Sequence, residues 1–251
     1  MRAACALVIL AFLAAMTALA GCGPRRPDTA PLAAYPDPVR LAAEVDAFAA
    51  ADSLAPPPPG GLLCIGSSSL RMWHPTLARD LAPHQVVPRG FGGSTMLDVL
   101  HFAPRLVLPY RPAGILLYSG DNDIDFGATP EEFLAVFTRF VALVRTELPR
   151  ARFYVMSIKP SPARWAKWPA MARANALLQE ACGRDSFMHY VDVATPMLGA
   201  DGQPRRELFL PDMLHLNGAG YELWARVVRE SLAGAPLPVK AAAGLTTSPT
   251  R

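Results

Sequence analysis

The chain has 251 residues, of which 51% are hydrophobic, 18% charged and 8% aromatic, with a formal net charge of +3. That apolar fraction excludes a disordered chain and can supply a sizeable core. The 24 basic and 21 acidic residues form no long basic run, which excludes a nucleic-acid-binding stripe, and four cysteines are too few for a disulfide scaffold.

The first 21 residues, MRAACALVILAFLAAMTALAG, place one Arg ahead of a long apolar run, the pattern of an export signal. The run from Ala3 to Ala20 is just long enough to be weighed as a membrane-spanning helix instead. Leu19-Ala20-Gly21-Cys22 resembles the bacterial lipobox. The resemblance implies cleavage before Cys22, acylation of that cysteine and attachment to a membrane, with the outer membrane facing the periplasm as the expected address. Residues 22–36, rich in Pro, Ala and charge, read as a tether. Cys64 and Cys182 read as buried free thiols, with a disulfide chemically open outside the cytoplasm.

A helical pattern over Val39–Asp52 is cut off by Pro56–Pro59. Five apolar, strand-like runs follow, at Leu62–Ile65, Gln85–Val87, Gly114–Tyr118, Arg152–Ile158 and Met188–Val193, with helical patterns between them. The clearest helix covers Glu131–Leu148, with Thr129 as N-cap, Pro130 at its first position and Glu132 closing a capping box. A last helix follows Asn217, with Tyr221, Trp224, Val228 and Leu232 on one stripe. Alternation of strand and helix predicts an α/β fold with a parallel sheet covered on both faces, in one domain over residues 37–233. The tail over 234–251 reads as disordered. In such a sheet, functional residues gather after the carboxyl ends of the strands.

Four motifs sit there. Gly66-Ser67-Ser68-Ser69 after the first strand suits a tight turn into a helix N-terminus, where backbone N–H groups favour a developing anion. Leu70 stands where a G-x-S-x-G elbow needs its second glycine. Arg89-Gly90-Phe91-Gly92-Gly93-Ser94-Thr95 after the second strand lacks the third glycine of a dinucleotide fingerprint and reads as a turn that presents backbone donors. Asp121, Asp123, Asp125 and Glu132 imitate a calcium loop, but Phe126 takes the place of its glycine and no helix enters it. Asn122 within this run suits an amide directed at a ligand. Finally, Asp212-Met213-Leu214-His215 lets an aspartate fold back on an imidazole, leaving Nε2 as a base. The segment Lys159–Trp165 follows the fourth strand, and Arg164 and Trp165 are candidate substrate-pocket residues. Trp165 and Trp168 suit a sugar face, an acyl chain or packing on their own domain. No feature asks for a cofactor or a metal.

Taken in order, Gly66-Ser67-Ser68, Gly93, Gly120-x-Asn122-Asp123 and Asp212-x-x-His215 resemble the four sequence blocks of the GDSL/SGNH hydrolases, nearest the branch of platelet-activating-factor-acetylhydrolase-like esterases. The resemblance implies a flavodoxin-like three-layer α/β/α sandwich on a five-stranded parallel sheet. It implies Ser68 as nucleophile, His215 as general base and Asp212 as its partner, with Ser68, Gly93 and Asn122 forming the oxyanion hole. Ser67 replaces the aspartate of the family's name motif, which leaves Ser67 and Ser69 as alternative nucleophiles. The expected activity is hydrolysis of carboxylic esters, with short acyl groups favoured and a small-molecule, lipid or glycan ester as substrate. The alternative is a non-catalytic, lipid-anchored protein that binds glycan or lipid on the same fold.

Overall fold

The computed structural model describes residues 35–237. The export signal over 1–21, Cys22, most of the tether and the tail beyond residue 237 lie outside the described residues. The five strands are β1 (Leu62–Gly66), β2 (Val86–Gly90), β3 (Gly114–Tyr118), β4 (Arg152–Met156) and β5 (Met188–Val191), all parallel, in the order β2-β1-β3-β4-β5. The helices are α1 (Ala42–Leu54), α2 (Ser68–Asp80), α3 (Met96–Leu106), the short α4 (Asp121–Asp125), α5 (Pro130–Glu147), α6 (Trp168–Gly183) and α7 (Gly218–Gly234).

Alternation along the strands builds two cores. Leu62, Cys64, Leu116, Tyr118, Tyr154 and Met156 join one cluster with Leu70, Trp73 and Leu77 of α2 and Tyr221, Trp224 and Val228 of α7. Trp73 stacks on Tyr221 at 5.6 Å between ring centroids, and Trp224 lies 4.8 Å from Tyr118. The intervening residues face the other side, where Phe140 of α5 meets Phe153 edge-on at 6.1 Å. There α5 lies between α3 and α6. The result is the expected three-layer α/β/α sandwich.

The strand ends differ from the sequence reading in instructive ways. β2 runs on to Gly90 through Pro88, which an edge strand tolerates because one side of it needs no ladder donor. The predicted N-terminal helix over Val39–Asp52 begins as a 3₁₀ turn at Pro38–Leu41 and continues as α1. The Thr129 capping box of α5 is present as expected, and α3 opens with a second such box, Thr95 with Asp98. The packed residues also reach beyond 37–233. Tyr35 buries its hydroxyl beside Asp123, and Leu237 lies against Gly114 while the Tyr154 hydroxyl donates to the Ala235 carbonyl. Cys64 and Cys182 are buried free thiols. Burial pushes both up, Cys182 to about 12.

Candidate active site

The strand order reverses between β1 and β3, and the four motifs meet beyond the carboxyl ends of these strands. Gly66 ends β1 with φ of +146°, and a Cβ there would stand 1.8 Å from the Tyr118 carbonyl oxygen. Only glycine permits this approach, which lets Ser67 donate its N–H to that same oxygen at 3.1 Å and turn the chain into α2. Of the three serines that follow, Ser67 and Ser69 are fully buried and Ser68 is half-buried at the first position of α2. The Ser69 hydroxyl accepts from Lys159 Nζ at 3.1 Å. Ser68 alone reaches the histidine, its Oγ lying 3.0 Å from His215 Nε2.

Asp212 and His215 form the fold-back that their spacing predicts. The Asp212 Oδ1 accepts the N–H groups of Leu214 and His215, each at 2.9 Å, and Oδ2 lies 2.7 Å from His215 Nδ1. Met213 takes a left-handed φ of 56°, which closes the loop, and its carbonyl accepts from Ala163 N–H at 3.0 Å. Partial burial raises the Asp212 pKa, but the hydrogen bonds from the His215 ring and from the two backbone N–H groups outweigh it and bring it down to about 2. A carboxylate that stays charged fixes the Nδ1–H tautomer, so Nε2 is the nitrogen able to take the Ser68 proton.

The remaining motif residues supply donors. Gly93 has φ of +65° and is exposed, and its N–H has no partner among the described residues. The Ser68 N–H stands at the first turn of α2, where no helical carbonyl precedes it. Asn122 is buried, gives one Nδ2 hydrogen to the Ser94 carbonyl at 2.9 Å and accepts Arg164 Nη1 on Oδ1 at 2.9 Å. That pair of bonds fixes which end of the amide is the donor and leaves its second hydrogen unused. Asp123 accepts Met96 N–H at 2.8 Å, tying α4 to α3, and burial raises its pKa to about 7.

Beneath these groups lies a charge network that the spacing of the motifs does not reveal. Lys159 is 1% exposed, and its Nζ meets Asp121 Oδ2 at 2.7 Å, Tyr118 Oη at 3.1 Å and the Ser69 hydroxyl. Burial lowers the Lys159 pKa against the pull of Asp121. Asp121 in turn is pushed up by burial, but Lys159 and then Arg164 outweigh this and hold it below the usual range. Arg164, read from sequence as a pocket residue, is 14% exposed and turned inward, between Asn122, Asp121 at 3.6 Å and Asp125 at 2.9 Å. Trp165 is half-buried and stacks on Trp168 at 5.8 Å. The only sequence signal for the network was position, since Lys159 and Asp121 each stand shortly after a strand end.

An arrangement of this kind can activate a hydroxyl and stabilise a tetrahedral oxyanion. The family that the sequence matches agrees with that chemistry. The model of the GDSL-like lipase/acylhydrolase family matches residues 57–223. No curated protein matches the chain. Among solved structures, the chain is similar to a Streptococcus pneumonia protein provisionally described as a platelet activating factor, at 20% identity and a TM-score of 0.68, covering 77% of this chain and 94% of that one. It is similar to a GDSL-like lipase from Bacteroides thetaiotaomicron at 18% identity and a TM-score of 0.65, covering 77% and 98%. An acetyl-xylooligosaccharide esterase variant from Geobacillus Stearmophilus matches at 13% identity and a TM-score of 0.57, covering 73% and 99%. At these identities the likeness establishes the fold.

Proposed function

The chain belongs to the GDSL-like lipase/acylhydrolase family and is an ester-hydrolysing enzyme, and from that premise we propose that Ser68, His215 and Asp212 are its catalytic triad. The observation that carries this reading is the relay from Ser68 Oγ through His215 to Asp212, with contacts of 3.0 and 2.7 Å. In the first half-reaction His215 Nε2 takes the Ser68 proton as Oγ bonds to the ester carbonyl carbon. The carbonyl electrons move to oxygen, which the N–H groups of Ser68 and Gly93 and the Asn122 amide receive. The carbonyl re-forms, the C–O bond to the leaving alkoxide breaks, and His215 gives that alkoxide its proton. Water then repeats the cycle on the acyl-enzyme and releases the acid.

The substrate we infer is a short-chain acyl ester, with the half-buried pair of Trp165, next in the chain to the Asn122 partner Arg164, and Trp168 at the start of α6 supporting a carbohydrate or small aryl alcohol portion. Hydrolysis of p-nitrophenyl esters of increasing chain length, beside acetylated oligosaccharides, tests this: activity should peak at acetate, and a peak at long acyl chains would refute it. We further propose that the mature protein is held at the outer membrane, facing the periplasm, through lipidated Cys22. Palmitate should enter the wild-type chain in cells and not Cys22→Ser; equal incorporation would reject the anchor.

A further inference from the structure

The turn that carries Gly93 is built from two adjacent glycines, the residues with the freest backbone, yet its N–H must hold one direction to serve an oxyanion. Within the turn itself little restrains it: a Cβ on Gly93 would meet nothing within 4 Å. The restraint comes from outside the region that defines the family, from the segment Pro38–Leu54 that precedes residue 57. Glu44 of α1 accepts the Gly92 N–H on both carboxylate oxygens, at 2.9 and 3.1 Å. Arg40 donates to the Gly93 carbonyl at 3.2 Å while gripping the fully buried Asp98 of α3 with two bonds of 2.7 Å. These contacts fix the peptide plane before the Gly92–Gly93 unit and the plane after it. With both flanking planes held, the plane between them, which carries the Gly93 N–H, can turn only by a counter-rotation of Gly92 ψ and Gly93 φ.

The segment is itself firmly seated. Asp52 at the far end of α1 accepts Nη2 of the buried Arg89 of β2 on both carboxylate oxygens, at 2.6 and 2.7 Å, and Arg89 also lies 5.0 Å over the Phe48 ring. Asp46 pairs with Arg105 of α3 at 2.6 Å. Charge-assisted bonds of this length are the stronger class, and several together define a position better than any one pair does.

We propose that Pro38–Leu54 is a strap whose Glu44 and Arg40 are positioning residues for the Gly93 oxyanion donor. The inference rests on the serine-hydrolase reading given above. Its test is Glu44→Ala beside Glu44→Gln, which keeps an oxygen acceptor for the Gly92 N–H. Both are assayed on p-nitrophenyl acetate and against a trifluoromethyl ketone, which adds to the serine and fills the hole with an oxyanion. Glu44→Ala should lower kcat about ten- to a hundred-fold, in the range of a displaced or lost donor. KM should hold, the ketone should bind more weakly by a similar factor, and Glu44→Gln should restore most of both. Wild-type kcat in Glu44→Ala, with Ser68→Ala inactive, overturns the strap and leaves the catalytic reading standing. So does a loss that appears only as a lower melting temperature and is not rescued by Gln. Full activity in Ser68→Ala would instead sink the catalytic reading, and the strap with it.

Discussion

Arg164→Met removes the guanidinium that donates to Asn122 Oδ1 at 2.9 Å while leaving Ser68, His215 and Asp212 untouched. Asn122 is 6% exposed, so its Oδ1 would lose its charged donor in a site that water reaches poorly. Leaving a buried acceptor unsatisfied costs about 1–3 kcal/mol, and the amide can escape that cost only by reorienting the hydrogen meant for the oxyanion. Converted at about 1.4 kcal/mol per tenfold, the loss in kcat is roughly ten- to a hundred-fold, below the 10²–10³ or so expected for Asn122→Ala. The fold should tolerate the change, because Asp121 keeps Lys159 and Asp125 keeps Lys167. The assay is a double-mutant cycle on p-nitrophenyl acetate, in which Arg164→Met adds little once Asn122 is Ala. A raised KM with unchanged kcat, additive with Asn122→Ala, would refute this and return Arg164 to the substrate pocket.

Two further predictions concern the scaffold. Gly66→Ala would drive a Cβ to 1.8 Å from the Tyr118 carbonyl at a φ of +146°, so urea unfolding should show a loss above about 4 kcal/mol; a near-wild-type midpoint would contradict the account of this turn. His74, whose Nε2 accepts the Gly90 N–H at 3.0 Å, has its pKa lowered to about 4 by burial, then by Arg89 and Arg71. The unfolded chain protonates this histidine below about 6.5 and the folded one only near 4, so its share of stability is full above 6.5 and falls as pH drops through that window, by roughly 2–3 kcal/mol. Asp123, raised to about 7, acts in the opposite sense between about 4 and 7, so the informative quantity is the difference between wild type and His74→Gln. That difference should shrink as the pH falls from 6.5 to 4, and a constant difference would refute the assignment.

Much of this was legible in the sequence for physical reasons. The central strands β1 and β3 are buried throughout and so read as apolar runs, and the α5 start is fixed by the local chemistry of Thr129, Pro130 and Glu132. Asp212 and His215 were legible because a three-residue fold-back is a local event. Without the family resemblance the three serines of this run read alike; in the fold, the burial of Ser67 and Ser69 and the 3.0 Å contact of Ser68 with His215 separate them. Arg164 was read facing the pocket because it follows β4, whereas Asn122, Asp121 and Asp125, about forty positions earlier, draw it inward. Lys159, Glu44 and Arg40 act through partners brought together only by the sheet, and no local pattern marks them.

The most direct measurement of the central claim is active-site labelling with a fluorophosphonate, followed by mass spectrometry of the modified peptide. One adduct per chain is predicted, on Ser68, absent from Ser68→Ala and formed more slowly in Asp212→Asn, where the Nδ1–H tautomer is no longer enforced. An adduct on Ser67 or Ser69, or esterase activity that persists in Ser68→Ala without any adduct, would contradict it.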